Sequence, residues 1–219
     1  MRSFLMITLI VIAAACGNPE TGETTITLGS GAESPAQAVE DLSTFLSEGD
    51  FAAASALAVP GQAALASLAE GASPGEVADA LENGDTEIAA NFWSGFAQGA
   101  GETLTGEIEV SEAGTQTESE VEFHIIEVSP ESGGEGRVIT QDVDGHRVDL
   151  FASFGAGLSE SLILPYEQLL ETQSEDGAII LLASRDLVPS LMVAASDPGL
   201  DPASVQEILR LVELITRVG

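Results

Sequence analysis

The sequence predicts an α+β fold: N-terminal helices packed on an antiparallel four-stranded sheet, with a C-terminal helical extension after the last strand. Three observations carry this expectation. Apolar residues recur at helical spacing from Ser34 to about Phe96, and again from Phe154 to the C-terminus. Between these stretches, from Thr103 to Phe151, the period changes to alternation, the mark of half-buried strands. Asp144-Gly145, a dipeptide favoured in two-residue hairpin turns, separates the last two alternating runs.

The first fifteen residues hold one basic side chain, Arg2, followed by an uncharged, mostly apolar run from Phe4 to Ala15. This is a signal-peptide profile, and the run is shorter than the roughly 20 residues that a membrane-spanning helix needs. Ala13-Ala14-Ala15 stand directly before Cys16, the only cysteine, and this resembles the lipobox at which bacterial lipoprotein precursors are lipidated and cut. Ala13 stands where that pattern usually has Leu. The resemblance implies a diacylglyceryl group on the Cys16 thiol and a membrane as the chain's first partner. An ordinary secretory cut after Ala15 is the other reading. It leaves a lone thiol in an oxidising compartment. Residues 1–15 are thus expected to be a signal peptide, and residues 16–33, rich in Gly, Thr and Glu, a lipidated tether.

The folded part is expected from Ser34. Ser34 is a suitable N-cap, Pro35 fits the first helical position, and Val39, Leu42, Phe45 and Leu46 follow at helical spacing until Gly49. Asp50 caps a second helix over 51–58, ended by Pro60-Gly61, and a further helical stretch covers 62–70. Ser73 and Glu76 have the spacing of a capping box, opening a helix that buries Val77, Ala80 and Leu81. Asp85 or Thr86 opens the next, where Ile88, Phe92 and Phe96 lie four apart on one face.

In the strand region Leu104, Ile108 and Val110 alternate with Thr105, Glu107 and Glu109, and Val121, Phe123 and Ile125 alternate with Glu120, Glu122 and His124. A two-residue turn at Asp144-Gly145 makes Val143 face His146 and pairs Asp142 with Arg147, Gln141 with Val148 and Ile139 with Leu150. Helices are then expected over 158–164 and 166–172, divided by Pro165, and around 189–195 after the apolar run 178–183. Asp201-Pro202 opens the last helix, with Val205, Ile208, Leu209, Val212 and Ile215 on its buried face.

The stretch from Ser34-Pro35-Ala36 through Leu42, with Gly49-Asp50-Phe51-Ala52 after it, resembles the opening of NTF2-like domains, and Asp144-Gly145-His146-Arg147-Val148-Asp149 resembles their final strands. The resemblance covers residues 34–154 and implies a curved sheet forming a cone with a cavity. Residues 155–219 have no counterpart in that pattern and are expected to pack on the same domain. NTF2-like enzymes act through acids, His or Tyr pointing into the cone, which makes His124, His146, Trp93 and Tyr166 the residues to weigh. Trp93 and His124 are the ligand-pocket candidates, and no residue is assigned as catalytic.

Composition narrows the partners. Removing residues 1–15 takes away Arg2 and no acid, and moves the formal charge from −30 to −31. Such a surface repels nucleic acid, whose binding draws on Lys and Arg against phosphate. The acids are scattered rather than blocked, as on a solvated surface. Asp142-Val143-Asp144-Gly145 begins like a calcium loop, but Arg147 and Ser153 stand where ligands are required. Walker A, G-x-S-x-G, H-E-x-x-H and paired C-x-x-C patterns do not occur in the sequence. No cofactor or metal is expected. The expected function is a membrane-tethered extracytoplasmic module binding a small apolar ligand or an envelope protein; a hydrolase or isomerase of the NTF2-like sort and a structural envelope protein are the alternatives.

Overall fold

The structure is a computed structural model that describes residues 31–83, 86–100, 102–131 and 133–217. The expected signal peptide, Cys16, the expected tether up to residue 30 and the expected helix start at Asp85 lie outside the described residues. Helix α1 spans Pro35–Glu48, with the Ser34 side chain accepting from the Gln37 N–H and Gly49 closing it in the left-handed conformation. Helix α2 spans Phe51–Ala56 and is capped by Asp50. It stops two residues short of the expected end because Leu57 and Val59 leave it to pair with the sheet. α3 (Gln62–Ala66) continues into a 3-10 turn over Ser67–Glu70. α4 (Pro74–Asn83) opens on the expected capping box, with Ser73 N donating to Glu76 at 2.9 Å and Glu76 N returning to Ser73 Oγ at 3.4 Å. α5 covers Thr86–Ala100 and α6 Glu102–Thr105, so Thr103 and Leu104 are helical and the alternation begins only beyond them.

The sheet is a meander of four antiparallel strands in chain order: β1 (Ile108–Glu118), β2 (Val121–Pro130), β3 (Gly136–Asp142) and β4 (His146–Val148). Its last hairpin differs from the expected register by one residue. Asp142 pairs with His146, Gln141 with Arg147 and Thr140 with Val148, across a three-residue loop in which Asp144 (φ 52°) and Gly145 (φ 97°) are both left-handed. Contacts within and beyond the hairpin hold this register. Gly31 N donates to Asp144 O at 2.8 Å, and the buried Arg147 side chain donates to the carbonyls of Val143 and Ala56. The outer edge of β4 is covered by Ala32, which exchanges two bonds with His146, and by Leu57 and Val59, which bracket Val148. Ala32, in the stretch read as a tether, is therefore part of the sheet edge.

Both faces of the sheet are covered. On one, Ile126, Val128, Val138 and Val148 join the main core, and α1 packs against all four strands. On the other, Phe123 and Ile139 meet Ala152 and Val193. Those two partners belong to the C-terminal helices: α7 (Leu150–Thr172), α8 (Glu175–Ala183), α9 (Val188–Ala195) and α10 (Pro202–Thr216). α7 begins at Leu150, where a strand was expected to run on to Phe151, because the Asp149 carboxylate caps the Ala152 N–H. Pro165 lies inside it, and a local break occurs instead at Phe154. The stretch Glu175–Ala195 is long and apolar enough to cross a membrane, yet Ser184–Leu187 form a 3-10 turn within it and Ile180, Leu187, Leu191 and Val193 are buried in the core. In α10, Ile208, Leu211, Leu214 and Ile215 form the buried face, while Leu209, expected there, is 44% exposed.

Candidate functional site

The chain's two histidines meet. His124 on β2 lies between Thr115 of β1 and Thr140 of β3, on the face that carries Ile126 and Val128, and β4 places His146 two pairs further along, on the same face. The imidazole rings stand edge to face, 5.1 Å apart at 89°. His124 Nδ1 is 3.1 Å from Glu112 Oε1, and its Nε2 is 3.6 Å from Glu122 Oε1. Glu112 pairs with Ile126 just before a bulge in β1, and so lies on the same face of the sheet as His124, diagonally across the strand pair. The His124 side chain is 15% exposed, whereas Glu112 and Glu122 are 49% and 63% exposed. Beneath them, Thr140 Oγ1 and His146 Nδ1 are buried and have no hydrogen-bond partner in the protein.

A carboxylate on one ring nitrogen orients an imidazole for proton transfer or ligand recognition. Two surface clefts lie elsewhere. One of about 420 Å³ is lined by Glu70, Glu76, Glu87 and Phe92, and burial holds the Glu70 carboxyl above its ordinary value. Another, of about 330 Å³, lies between Leu68, Pro74, Pro165 and Leu169. Neither is lined by His124 or Trp93. Among the described residues no group of three or more His, Cys, Asp or Glu side chains is placed to hold a metal ion.

The other candidate aromatics are core residues. Trp93 in α5 is fully buried, with Phe92 and Phe96 each at 5.3 Å, so the side chain proposed for a ligand pocket fills the interior instead. Its indole N–H has no acceptor in the protein. Tyr166 is fully buried on α7, its hydroxyl bonded to Ser184, and burial pushes its pKa up to about 12. The structure does not bring Trp93 or Tyr166 to the histidine pair.

Sequence reasoning missed Asp149. Its carboxylate is buried and accepts from four groups: Gln62 Nε2 (3.1 Å), Ala152 N (2.8 Å), Gln141 Nε2 (2.7 Å) and Ser190 Oγ (2.6 Å). Burial outweighs these donors and raises its pKa. The donors come from α3, α7, β3 and α9, so one carboxylate ties the sheet to helices on either side. The local signal was present, an acid immediately before the apolar run Leu150-Phe151-Ala152, but reading that run as strand concealed an N-cap. Every lone pair is spoken for within the protein, which makes Asp149 a structural junction. No family model, no curated protein and no solved structure matches the chain.

Proposed function

We propose that this chain is an extracytoplasmic lipoprotein, held on a bacterial membrane by lipid on Cys16, whose α+β domain is a non-catalytic module that binds an envelope protein through its surface. The observation that carries the anchoring is the run Ala13-Ala14-Ala15 against the only thiol of the chain, directly after an apolar segment too short to span a bilayer. Two or more acyl chains, at about 0.8 kcal/mol per buried methylene, make such an anchor stable. A surface mode of binding is supported by the interior. Trp93, Phe151 and Tyr166 are fully buried in one core cluster, where large side chains pack the interior. In this reading residues 34–154 are an NTF2-like domain with its cone filled, and α7 to α10 are the extension that closes it.

The 3.1 Å contact of His124 with Glu112 favours a second reading, an NTF2-like hydrolase or isomerase with the imidazole as general base. Expression of the intact precursor, followed by mild detergent extraction and native mass spectrometry, tests both. Acyl mass on Cys16 with a co-purified protein is the expected result, and Cys16→Ser is expected to release the chain from the membrane. An unacylated, soluble product overturns the anchoring. A co-purified small molecule whose turnover is lost in His124→Gln supports the enzyme.

A further inference from the structure

Among the described residues the outer edge of β1 is open, and it stands beside a helix. Among the described residues no strand pairs with it, in contrast to the far edge, which Ala32 and Leu57–Val59 cover. Glu131 N, just past the end of β2, donates to Glu107 O at 3.2 Å, so the Glu107 carbonyl points inward toward β2 and not to the outer edge. Antiparallel alternation then assigns Glu109 and Ser111 to the same inward set and turns the N–H and C=O groups of Ile108, Val110 and Glu112 outward. The Ile108 and Val110 side chains are partly buried against the main core, so this edge is held rigid. Next to it, α1 and the start of β1 border a groove of about 560 Å³, lined on the helix by Ser43, Thr44 and Ser47. Ser43 Oγ donates to Gly106 O at 3.2 Å and pins the helix to the strand entry. A sheet edge flanked by a helix is the geometry in which an extended peptide adds as a further strand.

Charge selects the occupant. Glu40 and Glu107 line the groove, Glu109 and Glu112 follow on the exposed strand, and the sequence from Pro35 to Glu131 contains neither Lys nor Arg. A second copy would set Glu107 and Glu109 against like charges across the strand pair. A partner that alternates apolar and basic residues would place the apolar ones over Ile108 and Val110 and the basic ones opposite Glu107 and Glu109. We propose that the segment Glu107–Glu112 is a docking edge for an extended, Lys- or Arg-bearing segment of a partner protein, which adds to the sheet beside β1. This rests on the reading of the chain as a protein-binding module and names the chemistry of its partner.

The test uses the detergent-extracted full-length protein and a fluorescent peptide of alternating Val and Lys. The expected result is binding that slows amide exchange across Glu107–Glu112, and that weakens at least about tenfold when Glu replaces Lys in the peptide. Val110→Pro removes one outward N–H without touching the ladder to β2, and is expected to abolish binding while leaving the circular dichroism unchanged. Should that variant unfold, Glu107→Lys with Glu109→Lys is expected to exchange the preference for the Lys peptide for one for the Glu peptide. Binding that survives Val110→Pro, protection that maps to the Glu70 cleft, or equal binding of a peptide with its Val and Lys in separate blocks overturns the proposal. So does a dimer that Val110→Pro splits, which makes the occupant a second copy. A natural partner retained by an acylated Val110→Pro protein sinks the edge proposal alone and leaves the binding-module reading standing.

Discussion

Gln62 holds Asp149 and the residue after it at once. Its amide nitrogen donates to the Asp149 carboxylate at 3.1 Å, and its amide oxygen accepts from the Leu150 N–H at 2.7 Å. One side chain from α3 thereby satisfies a buried carboxyl group and a free donor in the first turn of α7, at the point where sheet becomes helix. Both residues are buried, so water does not replace either bond if the side chain is lost.

Gln62→Ala is therefore expected to cost about 2–4 kcal/mol, the sum of a lost bond to a charged acceptor and a stranded buried N–H. For a chain of this size the melting temperature should fall by roughly 5–15 °C. Urea denaturation of the variant checks the energy. A loss below about 1 kcal/mol would show that the junction is not closed in solution.

Asp149→Asn gives a pH signature. Burial raises the native pKa of Asp149 above its ordinary value. Its share of stability is thus fully present below the ordinary Asp range and is lost as pH rises through the raised native value. The Asn variant does not titrate, and Ser190, both donor and acceptor, can meet either a protonated carboxyl or an amide. The stability gap between wild type and Asp149→Asn should accordingly be wider at about pH 4 than at about pH 8 when compared by urea midpoints.

The helix caps titrate in the opposite sense. Hydrogen bonds from Ser73 hold the Glu76 carboxyl below its ordinary value, and bonds from Ser204 and Ala203 do the same for Asp201. Their contributions are present above the ordinary carboxylate range and fade as pH falls through the lowered values. The difference in melting temperature between wild type and Glu76→Gln, or Asp201→Asn, should shrink on acidification.

At the covered edge, the backbones of Gly31 and Gly145 are in contact. A Cβ on Gly145 would lie 2.8 Å from Gly31 C, and Gly145 has φ +97°, where a side chain is strained in any case. Gly145→Ala is expected to destabilise by about 1–3 kcal/mol and to speed amide exchange at Ala32 and His146, whose N–H groups bond each other's carbonyls. Unchanged exchange there would contradict the docking of Gly31 on the hairpin.

Trp93 is the only tryptophan and is fully buried. Its fluorescence should be blue-shifted and resist quenching by iodide, and it should not respond to the Val-Lys peptide. Trp93→Ala is expected to cost about 3–5 kcal/mol. Strong iodide quenching would return Trp93 to the list of pocket residues.

What was legible in the sequence was local. The caps at Ser34, Asp50, Ser73 with Glu76, and Asp201 are where they were expected, because a cap closes within three or four residues. The alternation that carries β1 and β2 was legible for the same reason, since neighbouring side chains alternate whatever lies across the sheet. His124 was singled out, but its company was not. Glu112 reaches it diagonally across the β1–β2 pair and His146 through a register that the flanking sequence of Asp144-Gly145 did not predict.

By itself, then, the sequence determined the α+β class, the order of helices, sheet and helices, and the excess of acid, all of which follow from composition, short-range periodicity and caps. Only the tertiary structure decided that Ala32 closes one sheet edge, that Asp149 starts a helix, that Trp93 is buried in the core and that, among the described residues, nothing pairs with the outer edge of β1. Each of these depends on groups distant in sequence competing for the same hydrogen bonds or volume. Gly31 meets Gly145, and Gln62 meets Asp149, only once the chain has folded.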